Sequence, residues 1–207
     1  MSIRHHTAQA TLGDGTVVDL RPVRADDRSL LADGFERLSP RGRFMRFLAP
    51  TGRLTARQLS YLADVDHQDH VAWGVLHDGE PIAVARFVRL RERPAEADVA
   101  VTVIDDRQGR GIGRLLIRVL AVSARAAGVA TFHFDVLAEN RPMLGMIDSL
   151  GGRRESEGRV IHAQVPTAFI EPPEGVEGDL VGLLETARRE ARGEAVNPLS
   201  RARATPS

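Results

Sequence analysis

One stretch decides the fold: Asp105-Asp106-Arg107-Gln108-Gly109-Arg110-Gly111-Ile112-Gly113-Arg114. It follows an apolar run, 99–104, that predicts a strand. It precedes a run that predicts a helix, with apolar residues at helical spacing: Ile112, Leu115, Leu116, Val119 and Leu120. Three glycines in five positions are costly inside a helix and favour a tight turn. Because the amides at a helix start bind anions, the stretch predicts an anion-binding strand–loop–helix.

The glycine spacing separates this loop from two other phosphate-binding loops. A dinucleotide-binding loop has the pattern Gly-x-Gly-x-x-Gly, and a Walker loop ends in Gly-Lys-Ser/Thr. Here the glycines follow Gly-x-Gly-x-Gly, and the chain contains no lysine. Residues 108–113 instead resemble the Arg/Gln-x-x-Gly-x-Gly/Ala signature of the GNAT superfamily of acyl-CoA-dependent N-acyltransferases. The resemblance implies that the loop amides hold the pyrophosphate of coenzyme A. When only the loop is considered, the alternative is a glycine-rich turn that starts a helix and binds no ligand.

Composition excludes several classes of protein. Of the 207 residues, 43% are hydrophobic and 27% charged, which is typical of globular proteins. Because there is no apolar run of 18 residues and no secretory signal, we expect a cytoplasmic protein. The absence of cysteine excludes disulfides and an acyl-cysteine intermediate. The net charge of zero argues against binding to nucleic acid or to anionic membranes.

Patterning along the chain predicts a single α/β domain with the order β-ααα-βββ-α-β-α-β. The predicted strands are 16–21, 71–76, 82–90, 96–103, 131–137 and 159–165. This is also the order of the GNAT fold, a central mixed sheet flanked by helices. We expect residues 1–12 to be a flexible N-terminus and 13–168 to be the acetyltransferase domain. Residues 169–207 are expected to form a linker, a short helix and a disordered tail.

Further blocks resemble the bacterial protein lysine acetyltransferases of this superfamily, in the same order. They are 15–24, 38–47, 65–72, 84–87 and 136–144, and with the glycine loop the resemblance covers roughly residues 13–165. It implies an acetyl-CoA-dependent N-acetyltransferase that modifies protein lysines by direct attack. A small-molecule amine acceptor is one alternative, and a non-catalytic acetyl-CoA-binding sensor or partner protein is another.

The resemblance also implies a cofactor site. Main-chain groups of Val101, Thr102 and Val103 would bind the pantetheine arm, and an N–H there would polarise the thioester carbonyl. Asn140 would hydrogen-bond the pantetheine or cap the helix that follows it. The remaining cofactor-binding candidates are Gln108, Gly109, Arg110, Gly111, Ile112, Gly113 and Arg114.

The reaction needs a base, because a lysine amine has a free pKa of about 10.4 and is protonated at neutral pH. Strand alternation places Glu96 and Asp98 on one face. Asp98 lies ten positions before Gln108, where the family has its catalytic glutamate, and aspartate is one methylene shorter. Glu96 is the second candidate. The family's tyrosine acid falls near Ile147 here, so no acid is assigned.

No metal is expected in this chemistry. His67 and His70 are spaced to share a predicted helix face, but no further ligand lies near them in the sequence. The adjacent His5 and His6 lack further ligands too. The expected partners are acetyl-CoA and an amine acceptor, and the chain is expected to be a monomer or a homodimer.

Overall fold

A computed structural model describes residues 7–194, which form eight strands and six α-helices. The strands are β1 (Ala8–Thr11), β2 (Val17–Pro22), β3 (His70–His77), β4 (Glu80–Leu90), β5 (Arg93–Val103), β6 (Thr131–Leu137), β7 (Arg153–Glu157) and β8 (Val160–Pro166). The helices are α1 (Arg28–Glu36), α2 (Pro40–Phe47), α3 (Ala56–Ala63), α4 (Ile112–Ala126), α5 (Arg141–Ser149) and α6 (Glu177–Ala191). One sheet contains all eight strands in the order β1-β2-β3-β4-β5-β6-β8-β7. The predicted fold class, a mixed sheet flanked by helices, is confirmed.

The sheet is antiparallel except where β5 meets β6. These two parallel strands pair only over residues 96–98 and 131–133. Beyond that point β5 stays paired with β4 as far as Val103, while β6 pairs with β8 as far as Leu137. The strands therefore separate and leave a gap, the β5–β6 opening. Residues 99–103 of β5 border it without a strand partner on that side.

Helix α4 packs across one face of the sheet because its apolar residues recur every three or four positions. Ile112, Leu116 and Leu120 are each at most 1% exposed. Trp73 of β3 is fully buried and donates a hydrogen bond from Nε1 to Ser123 Oγ of α4 at 2.9 Å. The opposite face of β2–β4 is covered by α1, whose Leu31 packs near Val84. The start of α4, and with it the glycine loop, is thus held against the middle of the sheet.

The N-terminal boundary of the folded unit lies earlier than the predicted residue 13. Residues 8–11, expected to be flexible, form β1 and pair with β2 from Ala8↔Leu20 to Thr11↔Val17. The strand has four residues and its apolar side chains are only Ala8 and Ala10, which give a weak strand signal, so the pairing depends on β2. The edge strand β7, which is exposed along its length, was also missed for this reason. His5 and His6 lie outside the described residues.

The C-terminal boundary changes as well. The predicted helix is present as α6, but it packs on α4, β1 and β2 as part of the same folded unit. Its buried residues are Leu180, Leu183, Leu184 and Ala187. The expected tail, from residue 195 onward, lies outside the described residues. Among residues 7–194, none of the helices combines the length and apolar composition needed to cross a membrane.

His67 and His70 do not share a helix, so that interpretation was wrong. The Asp66 carboxylate accepts hydrogen bonds from three successive backbone N–H groups at 2.8 Å each, in a turn that lies between the end of α3 and β3. His67 has a left-handed backbone with φ 58°, and His70 begins β3. In the part of the chain that the structure describes, no group of three or more His, Cys, Asp or Glu residues is placed to hold a metal ion.

Candidate active site

The glycine loop leaves backbone amides free at the start of α4. Gly109 and Gly111 have φ 76° and 85°, in the left-handed region where glycine is favoured. Gly111 is the N-cap and has no side chain to cap the helix, and the first helical hydrogen bond runs from Leu115 N–H to Gly111 O. The N–H groups of residues 112–114 therefore have no partner within the helix and lie at its positive end. This arrangement binds phosphate well.

Gly113 is limited to a small residue for a different reason, the close approach of neighbouring elements. A Cβ built on it would lie 3.8 Å from Val101 Cγ1 and 3.9 Å from both Val103 Cγ2 and Met146 Cε. These are ordinary van der Waals distances, so alanine fits here and larger side chains do not. The same limit on side-chain size explains why the family signature has either Gly or Ala at this position.

The main chain of β5 points alternately toward β4 and toward the β5–β6 opening. Ile104 N–H donates to Ile82 O of β4, whereas Ala95 O accepts from Ala130 N–H on the β6 side. By alternation, the N–H and C=O groups of Val101 and Val103 point into the opening. The main chain of Thr102 instead faces Val84 of β4, so its place in a pantetheine site would depend on its side chain, which lines the cleft described below.

Gln108 and Asp105 brace this loop. Gln108 Nε2 donates to Val103 O at 3.1 Å and to Asp105 Oδ1 at 3.2 Å. Asp105 Oδ2 accepts from Ser39 N–H of the α2 N-cap at 2.5 Å. The loop, the end of β5 and the start of α2 are thus joined through one carboxylate. Because Val103 O is already occupied, its N–H is the group left for a ligand.

A cleft of about 760 Å³, called the central cleft below, runs from the β5–β6 opening to the start of α4. Helix α2 forms one wall and α5 the other. Arg41, Arg107 and Arg114 line it and provide cationic groups for phosphates. Its volume lies within the range of about 300–1,000 Å³ that is common for small-molecule sites.

Most of the predicted cofactor residues line this cleft. They are Val101, Thr102, Val103, Gln108, Gly109, Gly111, Ile112, Gly113, Arg114 and Asn140. The side chain of Arg110 does not, because its guanidinium pairs with Asp14 at 2.7 Å and holds the β1–β2 turn. Asn140 caps α5 by accepting from Met143 N–H at 3.3 Å and also faces the cleft, so both of its expected roles remain compatible with the geometry.

The two candidate bases differ in their surroundings. Glu96 Oε2 lies 2.5 Å from His133 Nε2 and 2.7 Å from Arg93 Nη1, so its carboxylate is already paired. Asp98 makes no such pair among residues 7–194 and lines a small pocket beside the central cleft. Burial raises the pKa of the Asp98 carboxyl, and the nearby charge of Asp135 raises it further. Asp98 is therefore the better proton acceptor.

The pocket that contains Asp98, called the Asp98 pocket below, includes side chains that sequence reasoning did not select. Arg46 of α2, Tyr61 of α3 and Arg86 of β4 line it together with Asp98. Tyr61 is 57% exposed and its ring lies 5.0 Å from that of His70. Tyr61 is the single tyrosine of the sequence, but it lies 37 positions before Asp98, and that separation gives no sign of a shared pocket.

Comparison with known proteins agrees with this geometry. The family model described as the acetyltransferase (GNAT) family matches residues 41–151. Acetyltransferase Pat of Mycolicibacterium smegmatis is 37% identical over 176 residues, covering 83% of this chain and 52% of Pat. Acetyltransferase PA5475 of Pseudomonas aeruginosa is 34% identical over 160 residues, covering 73% of this chain and 86% of that protein. The chain thus spans about half the length of Pat and most of PA5475.

Two solved structures extend the comparison. The GNAT domain of S. lividans PAT superposes with a TM-score of 0.74 at 30% identity, over 80% of this chain and 99% of that one. The cAMP-binding acyltransferase from Mycobacterium smegmatis gives a TM-score of 0.67 at 30% identity, over 90% of this chain and 56% of that one. With the glycine loop, the β5–β6 opening and these matches together, the chain belongs to the GNAT acetyltransferase family, whose cosubstrate is acetyl-CoA, and within it resembles the catalytic domain of bacterial protein lysine acetyltransferases.

Proposed function

We propose that the chain transfers the acetyl group of acetyl-CoA directly to the amine of protein lysines, with Asp98 as general base. The observation that carries this proposal is the β5–β6 opening, where the unpaired main chain of Val101 and Val103 leads to the free amides of α4. An extended pantetheine arm fits along the β5 edge as an added strand would. The pyrophosphate then meets the N–H groups of residues 112–114.

The chemistry follows from these positions. The Val101 N–H points into the opening and is placed to polarise the thioester carbonyl. The amine attacks the carbonyl carbon, the C–N bond forms, the C–S bond breaks, and coenzyme A leaves as the thiolate. A thiol with a pKa near 8.5 is a good leaving group, so the reaction proceeds without a side-chain acid.

Asp98 is preferred to Glu96 as the base because its carboxylate is unpaired and its pKa is raised. Three residues of strand, or about 10 Å, separate Asp98 from Val101. An aspartate does not span that distance, so the proton passes from the amine to Asp98 through water. Glu96, paired with Arg93 and His133, is the second candidate.

The exposed face of the sheet around Asp98 supports a cationic acceptor. On this face the register places Asp98 beside His133 of β6, and Asp135 beside His162 of β8. His162 Nδ1 lies 2.6 Å from Asp135 Oδ1. On the side of Asp98 that faces β6 and β8, the nearest charged groups are thus the carboxylate of Asp135 and the Glu96–His133 pair, which favours the approach of a protonated lysine from that side. A cytoplasmic location is also part of the proposal.

Turnover with defined acceptors tests the proposal. Thiol release from acetyl-CoA would be measured with a panel of lysine-containing proteins and small amines, for the wild type and for Asp98→Ala and Glu96→Ala. We expect protein lysines to be acetylated and Asp98→Ala to cause the larger loss of rate. If neither substitution lowers the rate, the base assignment is wrong. If acetyl-CoA binds tightly and no acceptor turns over, the chain is an acetyl-CoA sensor.

A further inference from the structure

Arg46 lies where three cavities meet. Its side chain lines the central cleft beside Val101 and Thr102, and it also lines the Asp98 pocket. It further borders a mainly apolar cavity beneath α1, called the α1 cavity below, which is lined by Leu31, Phe35 and other hydrophobic residues. The acyl carbon of a bound thioester and the incoming amine both lie near this junction in the proposed reaction. Arg46 is thus a cation of α2 that borders both the cleft proposed for the thioester and the pocket of the proposed base.

Arg46 has no anionic partner within residues 7–194. Its guanidinium carbon lies 4.9 Å from the ring centre of Phe47, and it donates no hydrogen bond to the part of the chain that the structure describes. Burial lowers the pKa of Arg46, which means that water does not fully solvate the charge. Partly desolvated arginines are ordinarily paired with carboxylates.

A second arginine increases the positive charge of this junction. Arg86 is 5% exposed, donates to Leu62 O at 2.9 Å and contacts His70 Nε2 at 3.1 Å. Burial, and to a lesser extent the charge of Arg46, lower the pKa of Arg86 to about 9. Two like charges in a partly apolar site destabilise each other unless an anion lies between them.

The neighbouring charged groups among residues 7–194 do not supply that anion. Arg21 borders the same α1 cavity but is paired with Asp27 at 2.6 Å, so the chain does satisfy a buried arginine where the role is structural. Asp98 shares a pocket with Arg46 and Arg86, yet the charges that act on its pKa are those of Asp135, His133 and Arg93. Arg46 and Arg86 therefore have no anion among the described residues that would stabilise their charges.

We propose that Arg46, supported by Arg86, binds a carboxylate carried by one of the two substrates. The donor would then be a dicarboxylic acyl-CoA such as succinyl-CoA, or the acceptor amine would bear a carboxylate near its nitrogen. Guanidinium groups bind carboxylates in a bidentate manner, which orients as well as attracts the substrate. The carboxylate itself does not react: the amine nitrogen still attacks the thioester carbon, the thiolate leaves, and one proton passes to Asp98. This inference rests on the proposed acyl transfer.

Equilibrium binding tests the inference without requiring turnover. Calorimetry would compare succinyl-CoA with acetyl-CoA, and N-α-acetyl-lysine with its carboxamide, for the wild type, Arg46→Gln and Arg57→Gln. Arg57 is an exposed arginine of α3 and serves as the matched control. We expect one of the two pairs to show a preference for the carboxylate form on the order of 10- to 100-fold. Arg46→Gln should abolish this preference and Arg57→Gln should preserve it.

The outcomes distinguish a carboxylate on the acyl donor from one on the acceptor amine. They also distinguish failure of the carboxylate site from failure of the proposed acyl transfer. A preference in the donor pair assigns the carboxylate to the acyl group, and one in the acceptor pair assigns it to the amine. Equal binding within both pairs, or a preference that survives in Arg46→Gln, overturns the inference even if acetyl transfer occurs. A preference without any turnover supports the anion site and argues against the proposed function. Arg46→Lys, which keeps the charge and loses the bidentate geometry, should retain a smaller preference and replaces Arg46→Gln if that variant does not fold.

Discussion

Replacing Gly111 with alanine tests whether the left-handed backbone of the glycine loop is what positions the cofactor-binding amides. Gly111 has φ 85° and ψ −3°, and a Cβ built on it meets no atom within 4 Å. The substitution therefore introduces no clash, and its cost is conformational. A non-glycine residue in this region costs about 1–2 kcal/mol.

That cost appears in one of two measurable ways. If the loop keeps its shape, the free energy of unfolding falls by about 1–2 kcal/mol. If the loop relaxes, the amides of residues 112–114 turn away from the pyrophosphate, and the same energy is lost from binding as a rise in Kd of about 5- to 30-fold. Calorimetric titration with coenzyme A, together with denaturant unfolding, measures both.

Gly113→Ala is the control, because Gly113 lies outside the left-handed region and its Cβ would make only contacts of 3.8–3.9 Å. We expect its Kd for coenzyme A to stay within about twofold of the wild type. The reasoning is refuted if Gly111→Ala changes neither stability nor affinity. It is also refuted if Gly113→Ala is the more damaging of the two.

Three other predictions concern charge and packing. Asp135→Asn removes a charge that raises the pKa of Asp98, so the acid limb of the pH profile of kcat/KM should move to lower pH; an unchanged limb would argue against Asp98 as the base. Burial lowers the pKa of His67 to about 4 from 6.5, so the unfolded chain takes up a proton at this residue more readily than the folded protein does. About 3 kcal/mol of the free energy of unfolding is therefore present above pH 6.5 and lost as the pH falls toward 4. His67→Asn tolerates the left-handed backbone and should show a correspondingly smaller loss of unfolding free energy over that range, whereas an identical loss in both proteins would exclude this origin. Leu184→Ala in α6 should lower the free energy of unfolding by about 2–5 kcal/mol, and no change would mean that α6 is a detached tail after all.

The sequence predicts the elements that depend on local patterns. The helix from Ile112 to the glycine at position 128 follows from its apolar spacing and its C-terminal glycine, which has φ 76°. The sequence also indicates Thr55 as an N-cap, and in the structure Thr55 and Gln58 form a capping box. The signature at residues 108–113 predicts a cofactor site because every member of it is contiguous in the sequence.

What the sequence does not predict depends on partners far apart in the chain. Nothing local distinguishes Asp105 from Asp106, yet Asp105 binds Ser39 N–H across 66 positions. The β5–β6 opening is likewise invisible, because strand patterning does not show where pairing stops. The helical interpretation of residues 67–70 failed because the side chain of Asp66 accepts three backbone hydrogen bonds that a helix would have made internally.

Features that depend on tertiary packing were likewise not predicted from the sequence. β1 and β7 are short edge strands whose order comes from β2 and β8. The helix α6 was predicted from its own periodicity, but its packing on α4 required the tertiary structure. Arg46 could not be singled out among the 28 arginines without the three cavities that meet at it.

The most direct test of acetyl transfer through Asp98 is the kcat/KM for a lysine acceptor in Asp98→Asn, with the Kd for acetyl-CoA measured on the same preparation. We expect the rate to fall by about 10²- to 10⁴-fold while the Kd stays near that of the wild type, because the base is lost and the cofactor site is not touched. Asp98→Glu, which restores the missing methylene, should retain activity. Wild-type turnover by Asp98→Asn would contradict the mechanism.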